Sequence, residues 1–433
     1  MSNILILFLL LINKTNLKLR EKNPYDYTTY SSVSKNTDLS EETITSTTAD
    51  QSAVYITDTI TISNSNINKE SGDSSKREDS EFYGVNAALL VQGGTLTMNE
   101  GTITTKAKGA NALVATNEGV VSITGTEITS TGEVSARGLH STYGGVITAK
   151  KLTISTEGQS CATLATDRGE GVISCEECNL TTKGAGSPLI YSTGTIKVEK
   201  TEGTAFGAQA VVIEGDNTAH ISGNSNLKCT ASPNRKEVDQ CGVMIYQSFS
   251  GDAKKGTGAL ICQDSSIEIL NTKNYYKTAP MFFITNTNAN IQLSNCNLIF
   301  GSNTFMNIKG TNEWGKQGSN GGIVELSITN EHIVGNIEVD SISSLSIRII
   351  KSTIEGTFNP GNTAKSLNIF LDADSKIILT GNSYSTSIVN DLKDGSNLIN
   401  GSYTWTIGQK TSYSKGITNS NLFILSLILS MLL

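Results

Sequence analysis

Basic clusters are missing from this chain of 433 residues. Its formal net charge is −7, only 17% of its residues are charged, and no run of Lys and Arg interrupts the sequence. Phosphate binding needs clustered cations, so no nucleic-acid partner is expected. Histidine is scarce, and His140, His220 and His332 lie far apart, which argues against a histidine-rich metal centre. Seven cysteines include one Cys-x-x-Cys, Cys175 to Cys178, and no second one, so a complete zinc set is lacking. Neither a metal nor a cofactor is expected.

The two ends are apolar but lack the flanks of membrane-spanning helices. Residues 4–12 (ILILFLLLI) are too short to span a bilayer and have the length of a secretory signal core. No Lys or Arg precedes them, basic residues follow at Lys14, Lys18, Arg20 and Lys22, and there is no A-x-A cleavage site. The alternative is a buried strand, but the run shows no period-2 alternation. Residues 1–22 are therefore expected to be a signal peptide. Residues 422–433 (LFILSLILSMLL) end the sequence without a basic stop, behind Ser412-Tyr413-Ser414-Lys415-Gly416 and a polar stretch to Asn421. Small residues, a polar spacer (residues 408–421) and an apolar tail form the layout of a glycosylphosphatidylinositol signal, with Ser412 or Ser414 as attachment candidates. A tail-anchored helix and a packed terminal strand are the alternatives. The expected address is the secretory pathway and the extracellular face of the plasma membrane, with a C-terminal lipid anchor.

Residues 23–52 are polar and rich in Ser and Thr, without apolar periodicity, and read as a mobile segment open to O-glycosylation. Residues 69–81 (KESGDSSKREDSE) read as a solvated loop. Beyond these, short Ile, Val, Leu and Thr stretches broken by Gly, Asn and Asp predict many short strands. The stretches superpose on one another. Gly119 opens GVVSITGTEITSTGE, Gly145 opens GVITAKKLTISTEGQ, Gly171 opens GVISCEECNLTTKGA, and Gly94 and Gly194 fit the same frame. An apolar or small residue falls at offsets two, four and nine: Val121, Ile123 and Ile128; Ile147, Ala149 and Ile154; Ile173, Cys175 and Leu180. The frame returns at Gly258, Ala289 and Leu345. A further strand precedes each start, as in ALLVQ at Ala88, ALVAT at Ala112 and PLIYS at Pro188.

A unit of about 25 residues with three short strands cannot bury its own apolar face, so each unit must stack on the next. The predicted fold class is all-β, a parallel β-helix solenoid over residues 53–407. Leucine-rich repeats have a similar period but need Leu-x-x-Leu-x-Leu and a consensus Asn, which are absent. Ten to twelve coils at the inter-strand spacing of ~4.8 Å would give a rod of roughly 50 to 60 Å.

The Gly-Val-Ile-Ser and Gly-Val-Ile-Thr strand starts, the Thr-rich second strand and the Asn and Gly corners resemble the parallel β-helix proteins, both pectin-lyase-like folds and adhesin-like passenger domains. The resemblance covers about three quarters of the chain and identifies an architecture more than a family. It implies a right-handed coil, in keeping with the usual handedness of parallel crossovers. The enzymes of that fold use aspartates around calcium with an arginine base, or paired aspartates with Gly-His-Gly and Arg-Ile-Lys, and none of these strings occurs. Asp216 near His220 reads as a coil corner. Glu176 and Glu177 are adjacent, so in a strand they would face opposite ways and make a poor catalytic dyad. No catalytic residue is assigned.

Cys175 and Cys262 fall at inward offset four, Cys178 and Cys296 at offset seven, and Cys161 at a small packing position, all of which suit core cysteines. A Cys175–Cys178 disulfide and a metal site stay open as alternatives. Cys229 and Cys241 bracket a polar insertion at residues 230–240, where a secretory route would permit a bridge. Asn179 and Asn400 head Asn-x-Ser/Thr sequons and are glycosylation candidates. Thr95, Thr97, Thr102 and Thr104 hint at an ice-binding ladder, but Thr favours exposed strand faces in any sheet. The functional expectation is a non-catalytic surface protein, adhesin-like or a coat component, presenting the rod and its insertion loops to an extracellular glycan or protein. The alternative is a carbohydrate-active enzyme on the same rod, a polysaccharide lyase or glycoside hydrolase. A lateral groove collecting three or more carboxylates with an Arg or Lys would favour the alternative.

Overall fold

In the coil that opens at Gly145, residues Ile147, Ala149 and Ile154 are no more than 1% exposed. They stack in register between Val121, Ile123 and Ile128 of one neighbouring coil and Ile173, Cys175 and Leu180 of the other. This computed structural model describes residues 21–233 and 240–408. Its strands pair in parallel throughout, and the chain is a parallel β-helix. The first face stacks twelve strands, from Ser32–Lys35 through Leu139–Ser141 to Asn336–Val339. The second and third strands of each coil form the other faces. These merge into one sheet of 22 strands because Thr59–Lys69 and Thr95–Thr105 run through the corner between them without a break. The third face continues in a four-stranded sheet through Thr353–Gly356 to Leu398–Ile399.

Three repeated devices explain why this sequence coils. The first is close approach of backbones at the frame start, where a Cβ on Gly145 would lie 2.3 Å from the carbonyl oxygen of Ala115. The second is a left-handed residue at offset six, which turns the chain from second to third strand: Lys151 (φ 56°), Glu177 (φ 56°), Asp264 (φ 48°), Asn295 (φ 54°) and Asn330 (φ 56°). Asn and Asp tolerate this region best. The turn keeps the ladder intact, since the Asn295 amide still donates to Thr329 O at 3.2 Å. Asn330 Nδ2 donates to Asn295 Oδ1 at 2.5 Å, and Asn295 Nδ2 to Asp264 Oδ1 at 2.7 Å.

The third device lies at offset seven, or eight where the corner carries one more residue as before Ser225 and Ser375, and there a hydroxyl accepts the amide of the preceding coil. Thr201 N donates to Ser225 Oγ at 3.1 Å, Ser225 N to Ser265 Oγ at 3.2 Å, and Ser352 N to Ser375 Oγ at 3.0 Å. Glu331 takes the same place with a carboxylate, accepting from Cys296 N at 2.7 Å. A corner amide turned away from the strand ladder would otherwise be buried without a partner.

Two expectations are corrected. Residues 23–52 are not a free segment. Ser32–Lys35 pairs with Ser52–Ile56, while Leu39–Ser40 and Thr43–Ser46 pair with Thr59–Lys69, so the solenoid starts a coil earlier than Ala53. Ser and Thr serve as strand residues there, with the neighbouring coil supplying the apolar surface. Residues 69–81 are not simply solvated: Lys69 is buried at 0% exposure, donating to Ser46 Oγ, Thr48 O and Gln51 O, and Arg77–Tyr83 forms an α-helix with Ser80, Glu81 and Phe82 buried. The frame also recurs at Asp58, Asn217 and Val324, bringing Ile60 and Ile62, Ala219 and Ile221, and Leu326 and Ile328 into the core. Most of the expected signal peptide, the anchor candidates Ser412 and Ser414, and the apolar tail lie outside the described residues.

Candidate functional site

First-face strands are buried on both sides, unlike the half-exposed strands of the second face. Their middle residues point away from the coil interior, yet Tyr55, Leu90, Val114, His140, Ala165, Val212, Met244 and Phe283 are all at most 7% exposed. Three elements cover them. The N-terminal segment lays Tyr27 and Tyr30 on Tyr55, with ring centroids 6.2 and 4.9 Å away. The helix Arg77–Tyr83 covers the middle coils. Farther along, Trp314 packs with Val212, Cys241, Met244 and Phe283 in an apolar cluster separate from the main core. Between helix and cluster lies an open cleft of about 400 Å³.

The helix is held by buried ions rather than by apolar packing alone. Arg137, 6% exposed, donates through Nη1 to Asp167 Oδ2 at 3.0 Å and to His140 Nε2 at 2.9 Å, and its Nη2 stands 3.7 Å from Glu81 Oε1. Burial, and then the Arg137 charge, push the His140 pKa well down, so the ring is neutral and Nε2 accepts. Burial opposes ionisation of Glu81, but Arg137, Ser135 and Arg77 outweigh it and hold its pKa below the usual value. Glu81 Oε1 accepts from Ser135 Oγ at 2.6 Å and from Arg77 Nε at 2.9 Å. At Asp167 burial prevails over Arg137 and pushes the carboxyl up to about 7. Removing Arg137 would leave Asp167 buried without a cation and Glu81 with Arg77 alone.

The opposite wall is aromatic and acidic. Tyr191 donates to Glu214 Oε2 at 2.8 Å, and Ser248 donates to Glu214 Oε1 through its amide at 3.1 Å and through its hydroxyl. Tyr246 meets Trp314 edge-on, with centroids 5.1 Å apart. Phe249 stands at the lip, 72% exposed. Arg168 ties the two walls together: its guanidinium lies 3.9 Å from the centre of the Phe82 ring on the helix, and its Nε donates to Asp252 Oδ1 at 3.0 Å on the loop beyond Phe249.

The residues singled out in the sequence lie elsewhere. His220 faces outward on the second-face strand Thr218–Ser222, beside Lys197 and Ile261. Glu176 and Glu177 sit on the solvated corner with Lys150, Lys151 and Lys200, the shortest pair being Lys150 to Glu176 at 3.0 Å. Cys229 is in the main core and Cys241 in the outer apolar cluster. Asn179 and Asn400 are both exposed. Among the described residues no group of three or more His, Cys, Asp or Glu is placed to hold a metal ion. The apolar first-face strands ALLVQ, ALVAT, PLIYS and GVMIY signal a covered face, since uninterrupted apolar strands imply burial on both sides, and the last two line the cleft.

The fold defines the class, a parallel β-helix protein with a covered first face and a lateral cleft. No family model matches the chain, and no curated protein or solved structure does either.

Proposed function

We propose that the chain is a non-catalytic cell-surface protein, adhesin-like or a coat component, whose rod presents the first-face cleft to an extracellular glycan. The observation carrying this reading is the wall of Tyr191, Tyr246, Phe249 and Trp314 facing carboxylates and arginines. Aromatic faces supply rigid apolar area for the C–H faces of sugar rings, and fixed polar groups supply orientation. The exposed Phe249 is the most accessible ring of that wall, at 72% exposure. The surface address rests on residues 4–12 and 422–433, with Ser412 or Ser414 carrying the lipid and Asn179 and Asn400 open to glycans.

Carbohydrate-active enzyme is the second reading, favoured by the collection of Glu81, Asp167, Glu214 and Asp252 in one cleft with Arg77 and Arg137. Three of those carboxylates accept from arginine and Glu214 from Tyr191 and Ser248, so they serve as structural acceptors rather than as a dyad poised on a glycosidic bond. A glycan array probed with the purified chain and with Phe249→Ala separates the readings. Binding of a defined glycan that falls about tenfold or more in the variant supports the proposal. Release of reducing ends or unsaturated sugars from bound oligosaccharides would overturn the non-catalytic reading. A blank array with a protein captured through the same cleft would replace the glycan by a protein partner.

A further inference from the structure

Two pairs of thiols meet at one corner of the solenoid, the turn from second to third strand. Cys175 Sγ lies 2.7 Å from Cys178 Sγ within one coil, and Cys262 Sγ lies 2.7 Å from Cys296 Sγ between adjacent coils. The same two columns of the frame supply both pairs: Cys175 and Cys262 stand at inward offset four, Cys178 and Cys296 at the hydroxyl-ladder offset seven. At that offset Thr201, Ser265 and Ser352, and Ser225 after one extra corner residue, use a hydroxyl to accept an amide of the preceding coil. A thiol is a weak acceptor, so cysteine there gives up part of the ladder's hydrogen bonding. Both times it does so, the position is matched by a second cysteine in contact. Cys161, which also accepts an amide, from Ala136 at 3.1 Å, has no cysteine beside it and shows that the pairing is not a general habit of this chain's cysteines.

We propose that Cys175–Cys178 and Cys262–Cys296 are two disulfides, one clasping a corner within a coil and one stapling neighbouring coils across 34 residues of sequence. Each bond forms by thiol–disulfide exchange with an oxidised low-molecular-weight or protein disulfide. One thiolate attacks the donor disulfide and releases one donor thiol, and the second cysteine displaces the other. Two S–H bonds are lost from the pair, one S–S bond forms, and the donor carries away both protons and both electrons as two thiols. Cys296 is the one of the four with substantial solvent access, so it is the entry point of the inter-coil pair. Both pairs sit at the corner between second and third strands and none of the four cysteines lines the first-face cleft, so the proposal holds whatever that cleft binds. Cys229 and Cys241 occupy different clusters and lie outside it.

The test uses the full chain, incubated folded with oxidised glutathione until the number of alkylatable thiols is constant. It is then denatured, alkylated without reduction, digested and read by mass spectrometry. The expected result is a peptide closed between Cys175 and Cys178, a cross-linked peptide joining Cys262 to Cys296, and Cys161 alkylated. Cys262→Ser and Cys296→Ser should each abolish the cross-link and leave the partner thiol alkylated or capped by glutathione, while Cys161→Ser leaves both bridges in place. Alkylation of all four cysteines overturns the proposal, recovery of one bridge without the other overturns it for the missing pair, and linkage of any of the four to a different cysteine overturns the assignment.

Discussion

Position 147 points into the coil and position 146 away from it, so adjacent residues should respond oppositely to the same change. Ile147→Asp would bury an unpaired charge between Val121 and Ile173, costing several kcal/mol, while Val146→Asp, half-exposed, should be mild. Thermal melts of the two variants check this, and equal losses would mean that the register is wrong. Glu331 tests the corner ladder by titration. Burial outweighs the hydrogen bond from the Cys296 amide and raises its carboxyl from the ordinary value to about 7. The folded state therefore binds the proton more tightly than the unfolded chain. Between the unfolded carboxylate range and about pH 7 the unfolded chain has released a proton that the folded one keeps, so stability falls as pH rises through that window, by on the order of a few kcal/mol. Glu331→Gln retains an acceptor for the Cys296 amide and cannot ionise. Denaturant midpoints at pH 5 and pH 7.5 should therefore converge in the variant relative to wild type, and an unchanged pH dependence would remove Glu331 as its source.

Corners rather than strands are where the element scale adds something the repeat alone does not show. The Asn295 turn uses a left-handed backbone and two side-chain hydrogen bonds along the Asp264, Asn295, Asn330 column. Asn295→Val should cost about 2 kcal/mol or more, since a β-branched residue is strained at positive φ and the column is cut. Asn295→Gly, which loses the column but suits the backbone, should cost clearly less. Urea unfolding of both variants measures the difference, and equal costs would put the weight on the side-chain column instead. The strands themselves were readable because inward offsets two, four and nine are local properties of the sequence. The first coil escaped because Ser32–Lys35 and Thr43–Ser46 are nearly all polar and borrow their apolar contacts from Ser52–Ile56 and Thr59–Lys69 of the next coil. The helix Arg77–Tyr83 escaped because about two turns of mainly charged residues read as a loop until Arg137, 56 residues after Glu81, supplies a counter-ion.

Stacking at about 4.8 Å per coil converts sequence separations of roughly 25 residues into side-by-side contacts, and the cleft exists only at that scale. Glu81, Asp167, Tyr191, Glu214 and Trp314 belong to different coils and insertions, with no spacing among them that a single sequence marks as a motif. The rod, by contrast, follows from the repeat itself, and its partners depend on where it stands. If a lipid replaces residues 422–433 near Ser412 or Ser414, the rod is held outside the cell by its last coil, with the cleft free along one side. Phosphatidylinositol-specific phospholipase C should then release the protein from intact cells in a form lacking residues 422–433, detectable in the medium by an antibody against the rod and by C-terminal peptide mapping. Protein that stays with the cells and keeps those residues would argue for an inserted tail, and would also weaken the surface-adhesin reading, because a cleft meant for extracellular glycans needs the rod on the outer face of the membrane.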